Sequence, residues 1–124
     1  MRPKMSITAA GDFLRQRRLP ERYDGFEEIR DFIMRGDARF FNLETSFPDE
    51  TCFGDRHYGG SYLRTDASAL EDARRFGFNM LSFANNHTMD YSFNGLLCTL
   101  RAVEQSGFPS SGVGRNRDEA SAPG

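Results

Sequence analysis

The chain has 124 residues, of which 38% are hydrophobic and 12 are phenylalanine, and its formal net charge is −2. That is enough apolar material for the core of one ordinary domain and argues against disorder. Sixteen basic residues against eighteen acidic ones leave no basic stripe of the kind nucleic-acid binders carry, so no nucleic-acid partner is expected.

Ser6 to Ala10 is short, apolar and bounded by Gly11, which predicts a first strand. A polar loop follows through Asp24. Phe26, Ile29 and Ile33 then fall at the spacing of one helical face, with Phe32 beside it. Asp24 and Glu27 stand as a capping box, and Gly36 sits where this helix should stop. Ala38 to Leu43 reads as a second strand, and Glu44 to Arg64 as a long loop. Thr65 or Asp66 can cap a second helix whose inward face is Ala69, Leu70, Ala73 and Phe76, ended by Gly77. Phe78 to Ala84 is the third strand. Ser92 can cap a third helix with Leu96, Leu97, Leu100 and Val103 inward, ended by Gly107. Phe108 to Val113 reads as a weaker fourth strand, and a further helix begins near Asp118.

The order β-α-β-α-β-α-β predicts an α/β fold with a mainly parallel sheet and right-handed helical crossovers. The second and third strands read as continuous apolar runs, as for strands covered on both faces. No repeat or low-complexity segment breaks the single domain.

The basic residues are almost all arginine, with Lys4 the exception. Arg15, Arg17, Arg18 and Arg22 cluster in the first loop, where a solvated surface is the expectation in preference to an anion site. Cys52 and Cys98 have no metal-type spacing and follow no secretory leader, so free thiols are expected. No window approaches the ~18 apolar residues of a membrane span. The expectation is a soluble, cytoplasmic chain, with any natural anchor lying outside it.

In open α/β sheets, sites gather at the carboxyl ends of the strands. The first strand ends in Gly11-Asp12, the second in Asn42-Leu43-Glu44, and the third in Asn85-Asn86-His87. Each has an ordinary reading taken alone. Gly-Asp is a common turn, Glu44 suits a solvated loop, and Asn85 and Asn86 suit turns and caps. Asn86-His87-Thr88 also matches a glycosylation pattern, which means nothing without secretion. Taken together, two carboxylates, an amide and an imidazole at one sheet edge fit a metal site. Hard oxygen donors with imidazole and no thiolate cluster favour Mn, Fe, Zn or Mg over a structural zinc. A carboxylate at the centre of such a site can bridge two cations roughly 3.5–4 Å apart, and the pair can drive an in-line phosphoryl displacement. A nearby histidine can then protonate the leaving group.

GDF at 11–13, FFNLET at 40–45 and FNMLSFANNHTMDYS at 78–92 resemble the CapA-like poly-γ-glutamate biosynthesis family of bacterial capsule synthesis proteins. GLL at 95–97, SGF at 106–108 and GVGRN at 112–116 do so too. The similarity runs from about Ile7 onward, and NLE and ANNH are its most specific pieces. That family is similar to calcineurin-like metallophosphoesterases. The resemblance therefore implies a share of a four-layer α/β/β/α sandwich with a dinuclear divalent metal centre.

Carried over by position, it implies that Asp12 is a metal ligand and that Glu44 takes the place of the bridging carboxylate. Asn86 is then the ligand of the second metal, and His87 the catalytic acid. Asp90 falls where it can orient His87. Two departures stand out. Leu14 occupies the place of a first-strand histidine, and the downstream histidines of the family are absent, His57 being the other histidine in the chain.

Residues 1–124 are thus expected to be the amino-terminal part of a single CapA-like domain. It would act on a phosphoester or a polyglutamate-related substrate when full length. By itself it would bind metal weakly, turn over little substrate and self-associate. The alternative is a non-catalytic member that binds a partner or an anionic polymer. A flavodoxin-like nucleotide binder has neither G-x-G-x-x-G nor a P-loop to support it.

Overall fold

A computed structural model of the chain describes residues 3–57 and 59–124. Tyr58, within the predicted loop Glu44 to Arg64, lies outside the described residues. The elements are β1 (Ile7–Phe13), α1 (Phe26–Ile33), β2 (Ala38–Leu43), α2 (Ala69–Arg75), β3 (Met80–Ser82), α3 (Ser92–Ser106), β4 (Ser110–Ser111) and α4 (Arg117–Ser121). The four strands form one sheet in the order β1-β2-β3-β4, and every neighbouring pair is parallel. The α/β class and the alternation of strands and helices agree with the sequence pattern.

β2 matches its predicted bounds. β1 continues past Gly11 to Phe13, because a register irregularity between Ala9 and Asp12 absorbs the glycine and pairing resumes at Asp12↔Asn42 and Phe13↔Leu43. β3 and β4 are shorter than predicted. The Leu81 amide in the middle of β3 donates to the Pro109 carbonyl just before β4 at 3.1 Å.

Burial alternates from Phe40 to Leu43 on β2 and along β3. Phe41 and Leu43 on β2 and Leu81 on β3 are buried, while Phe40, Asn42, Met80 and Ser82 are half-buried. The expectation of strands covered on both faces is therefore corrected. Right-handed crossovers between strands that add in chain order place successive helices on one face. The core accordingly joins Phe41, Leu43 and Leu81 to Phe26 and Ile33 of α1, to Leu70 and Ala73 of α2, and to Leu96 and Val103 of α3. Phe41 is its hub, with ring centroids 5.2 Å from Phe13, 5.0 Å from Phe78 and 5.8 Å from Phe108. Each such pair contributes ~0.5–1.5 kcal/mol beyond area burial.

The N-caps differ from expectation at all three helices of the core. Gly25, not Asp24, precedes α1, and no side chain caps it. On α1, Ile29 and Phe32 are exposed beside buried Phe26 and Ile33. Ser92 is the first residue of α3 and not its cap, with φ of 54°, an uncommon value for a residue with a side chain. Gly107 ends α3 in the left-handed conformation as predicted, with φ of 71°. Ser68, not Thr65 or Asp66, stands at the N-cap of α2 and no side chain caps it, while the helix buries Ala69, Leu70 and Ala73 as its spacing required, with Phe76 just beyond it.

Arg15 overturns the expectation of a solvated arginine cluster, because its side chain is buried. Its Nε donates to Asp72 Oδ2 at 2.9 Å, and its guanidinium also reaches Thr65, Asp66 and Ser68. Arg17, Arg18 and Arg22 are exposed as expected. Among the described residues, no helix is long and apolar enough to cross a membrane.

Candidate functional site

The polar residues at the strand ends are wired to one another through two amides. Asn42, next to the end of β2, donates from Nδ2 to Asp12 Oδ1 at 2.9 Å and to Glu44 Oε1 at 3.0 Å. One side-chain amide thus holds the carboxylate of β1 and the carboxylate that follows β2. Asp12 reaches this position because β1 continues past its bulge and realigns Asp12 with Asn42. Asn85 donates from Nδ2 to Asn42 Oδ1 at 3.2 Å and to the Leu43 carbonyl at 2.8 Å. Its own Oδ1 accepts from the His87 amide at 2.9 Å. Asn85 therefore shapes the turn after β3 and pins it to β2. Neither Asn42 nor Asn85 stands out in the sequence as a site residue. The signal was the ANNH amide pair together with an amide two residues before Glu44.

His87 is gripped from the other side. Its Nδ1 lies 2.8 Å from Asp90 Oδ2, and its Nε2 lies 3.7 Å from Glu44 Oε2. Asp90 is 1% exposed, and its Oδ2 also accepts from the Leu63 amide at 2.7 Å. Asp90 Oδ1 is buried with no hydrogen-bond partner among the described residues. The long loop is fastened to this turn at two further points. The Asp55 amide donates to the Asp90 carbonyl at 2.8 Å, and the Ser46 hydroxyl donates to the His87 carbonyl at 3.2 Å.

Glu44 is 8% exposed. Its polar contacts are the Asn42 amide and the His87 ring, and Asp12 stands on the same amide. Among the described residues, no lysine or arginine forms an ion pair with either carboxylate. A buried carboxylate ordinarily has a cation or a metal as its partner. The donor set, two carboxylates beside an imidazole edge, is hard and suits Mn, Fe, Zn or Mg.

Asn86 is placed differently. It is exposed and lines a cavity of about 220 Å³ with Asp55, His57, Met89 and Asp90. The structure thus brings Asp12, Glu44, His87 and Asp90 into one connected network and sets Asn86 on the cavity beside it. His57 lines that cavity too, with its Nδ1 3.3 Å from Asp55.

A second cluster of ligand-type atoms lies elsewhere. Asp49, Cys52 and Cys98 each place one ligand atom within 4.8 Å of the others and could hold a metal ion. Both cysteines are free, as expected. Their spacing of 46 residues hid the fact that the fold sets their sulfurs 3.6 Å apart. Burial pushes the Cys52 thiol up. The hydroxyl and amide of Thr51, and then the two thiols, hold the Asp49 carboxyl well below the usual carboxylate range.

Comparison with known proteins agrees with the sequence motifs. The family described as bacterial capsule synthesis protein PGA_cap matches residues 6–124. Two proteins of Sinorhizobium fredii (strain NBRC 101917 / NGR234), named Uncharacterized protein y4sH and Uncharacterized protein y4uA, are each 34% identical over 121 residues. The matched region is 94% of this chain and 26% of each relative, so the chain spans about a quarter of their length. With the family matched over nearly all of its residues, and with its NLE and ANNH motifs meeting at one edge of a parallel sheet, the chain belongs to the PGA_cap family of bacterial capsule synthesis proteins.

Proposed function

We propose that this chain supplies the first part of a dinuclear, metal-dependent phosphoesterase centre that serves poly-γ-glutamate capsule metabolism. The observation that carries this reading is the buried Glu44 carboxylate, set beside Asp12 with, among the described residues, no lysine or arginine paired to either. Asp12 and Glu44 would hold one cation, and Asn86 would contribute to a second on the side of the neighbouring cavity. Divalent cations bound there polarise phosphoryl oxygens and lower the pKa of a bound water. The chain's own residues do the rest. Asn42 keeps the two carboxylates at one point. His87 presents Nε2 on the carboxylate side and delivers a proton to the leaving oxygen. Asp90, locked by the Leu63 amide, holds the ring at Nδ1. Further ligands would come from outside residues 1–124.

The test is calorimetry with Mn²⁺ and hydrolysis of an activated phosphodiester by the full-length protein, with Glu44→Gln in parallel. Metal binding and turnover in the parent, both lost in Glu44→Gln, is the expected result. A parent that neither binds Mn²⁺ nor hydrolyses the diester sinks the proposal. On its own, the 124-residue chain is expected to bind Mn²⁺ weakly, and light scattering should find it self-associated through an open sheet edge and the exposed apolar residues Ile29 and Phe32 of α1.

A further inference from the structure

The loop after β2 and the middle of α3 meet at Asp49, Cys52 and Cys98, away from the network around Glu44. The Cys52 and Cys98 sulfurs are 3.6 Å apart. Asp49 Oδ1 is 3.3 Å from Cys52 Sγ, and Asp49 Oδ2 is 3.2 Å from Cys98 Sγ. A tetrahedral zinc ion, with Zn–S near 2.3 Å and Zn–O near 2.0 Å, separates two thiolate sulfurs by about 3.8 Å and a sulfur from a carboxylate oxygen by about 3.5 Å. The sulfur–sulfur distance and the distance from each sulfur to its own Asp49 oxygen already fall within a few tenths of an ångström of those values, and one ligand atom of each residue lies within 4.8 Å of the others.

We infer that Asp49, Cys52 and Cys98 form a zinc site that clips the long loop to α3, separate from the proposed phosphoesterase centre. Two thiolates and one carboxylate select a soft or borderline ion over Mg²⁺ or Mn²⁺. Charge supports the assignment. Zn²⁺ with two thiolates and a carboxylate carries a net charge of about −1, and Arg101 Nη2 donates to Cys98 Sγ at 3.1 Å, supplying the compensating cation. Rigidity supports it as well. Cys98 is fixed on the 15-residue helix α3, and the turn Asp49–Cys52 is closed by the Cys52 amide donating to the Asp49 carbonyl at 3.2 Å. Cys52 is buried, Cys98 half-buried and Asp49 exposed, so the fourth coordination position opens to water on the Asp49 side. Binding forms two Zn–S bonds and one Zn–O bond and releases two thiol protons to solvent, so affinity rises with pH.

The experiment uses the reduced full-length protein and Co²⁺ as a spectroscopic stand-in for zinc. Co²⁺ should raise a thiolate-to-metal charge-transfer band that Zn²⁺ bleaches by displacement, and Zn²⁺ should shield both thiols from alkylation. Cys98→Ser should lose the band, while Glu44→Gln, which disables only the other centre, should keep it. Should Cys98→Ser fail to fold, the exposed Asp49→Asn asks the same question and should weaken Zn²⁺ binding with its circular dichroism unchanged. A Co²⁺ complex without the thiolate band overturns the inference. Equal alkylation rates with and without Zn²⁺ do so too, as does a Cys52–Cys98 disulfide forming in the presence of Zn²⁺ and reductant.

Discussion

His87 Nδ1 and Asp90 Oδ2 are 2.8 Å apart, and that contact decides which ring nitrogen faces the carboxylates. With Nδ1 engaged, Nε2 is the nitrogen turned toward Glu44, at 3.7 Å. Which nitrogen does chemistry is set by the bond the other makes.

His87→Ala in the full-length protein should therefore lower turnover by ~10²–10⁴-fold and leave the metal content intact. Asp90→Asn should lower kcat by about 10–100-fold with KM little changed, since it loosens the ring without removing it. Steady-state kinetics beside metal analysis checks both. Loss of metal together with His87 would make His87 a ligand instead of an acid.

Arg15 bonds buried Asp72, which is 7% exposed. Removing one partner of a buried pair ordinarily costs about 3–5 kcal/mol. Arg75 also pairs with Asp72 at 2.8 Å, so Arg15→Met should fall at the low end, about 3 kcal/mol. Urea unfolding measures it, and a change below about 1 kcal/mol would mean that the pair behaves as a surface bridge.

Gly36 follows α1 where the chain turns into β2. A Cβ there would lie 2.5 Å from the Thr8 amide nitrogen and 2.8 Å from the Ala38 carbonyl oxygen. Both are backbone atoms and cannot swing aside, so Gly36→Ala must part β1 from the start of β2. A loss of about 1–3 kcal/mol is expected by thermal or urea unfolding, and amide exchange should quicken first along β1.

The Asp37 carboxyl is held below its ordinary value, first by the Ser6 amide and next by the Ser6 hydroxyl. The folded chain thus binds that proton less readily than the unfolded chain. The resulting stability is complete above the ordinary aspartate value of about 3.9 and drains away as pH falls through the lower folded value. Asp66, held low chiefly by the Ser68 hydroxyl, acts with the same sign. Unfolding midpoints taken from pH 5 down to about 2 should decline, and Asp37→Asn should flatten that decline. An unchanged acid limb would remove Asp37 as a contributor.

The parts of the fold legible in the sequence were those fixed by local pattern. Ala38 to Leu43 is bounded by polar turns on both sides, and Ala69, Leu70, Ala73 and Phe76 carry a helical period, so both fell where expected. Gly11 misled because a strand can pass a glycine when its register slips. Arg15 misled because it sits among arginines that are solvated, while Asp72 stands 57 residues away. The same distance problem hid the thiol pair. At the site, the strand-end carboxylates and His87 could be read from their positions. The amides of Asn42 and Asn85, which fasten those groups together, look like ordinary turn residues until the strands are laid side by side.

The strand order has a consequence for how the molecule is made. β1, β2, β3 and β4 lie side by side in the order of synthesis. Each strand joins an edge that already exists, and none has to be threaded between two others. The sheet can therefore grow on the ribosome one β-α step at a time, with β1 and β2 paired before β3 has emerged.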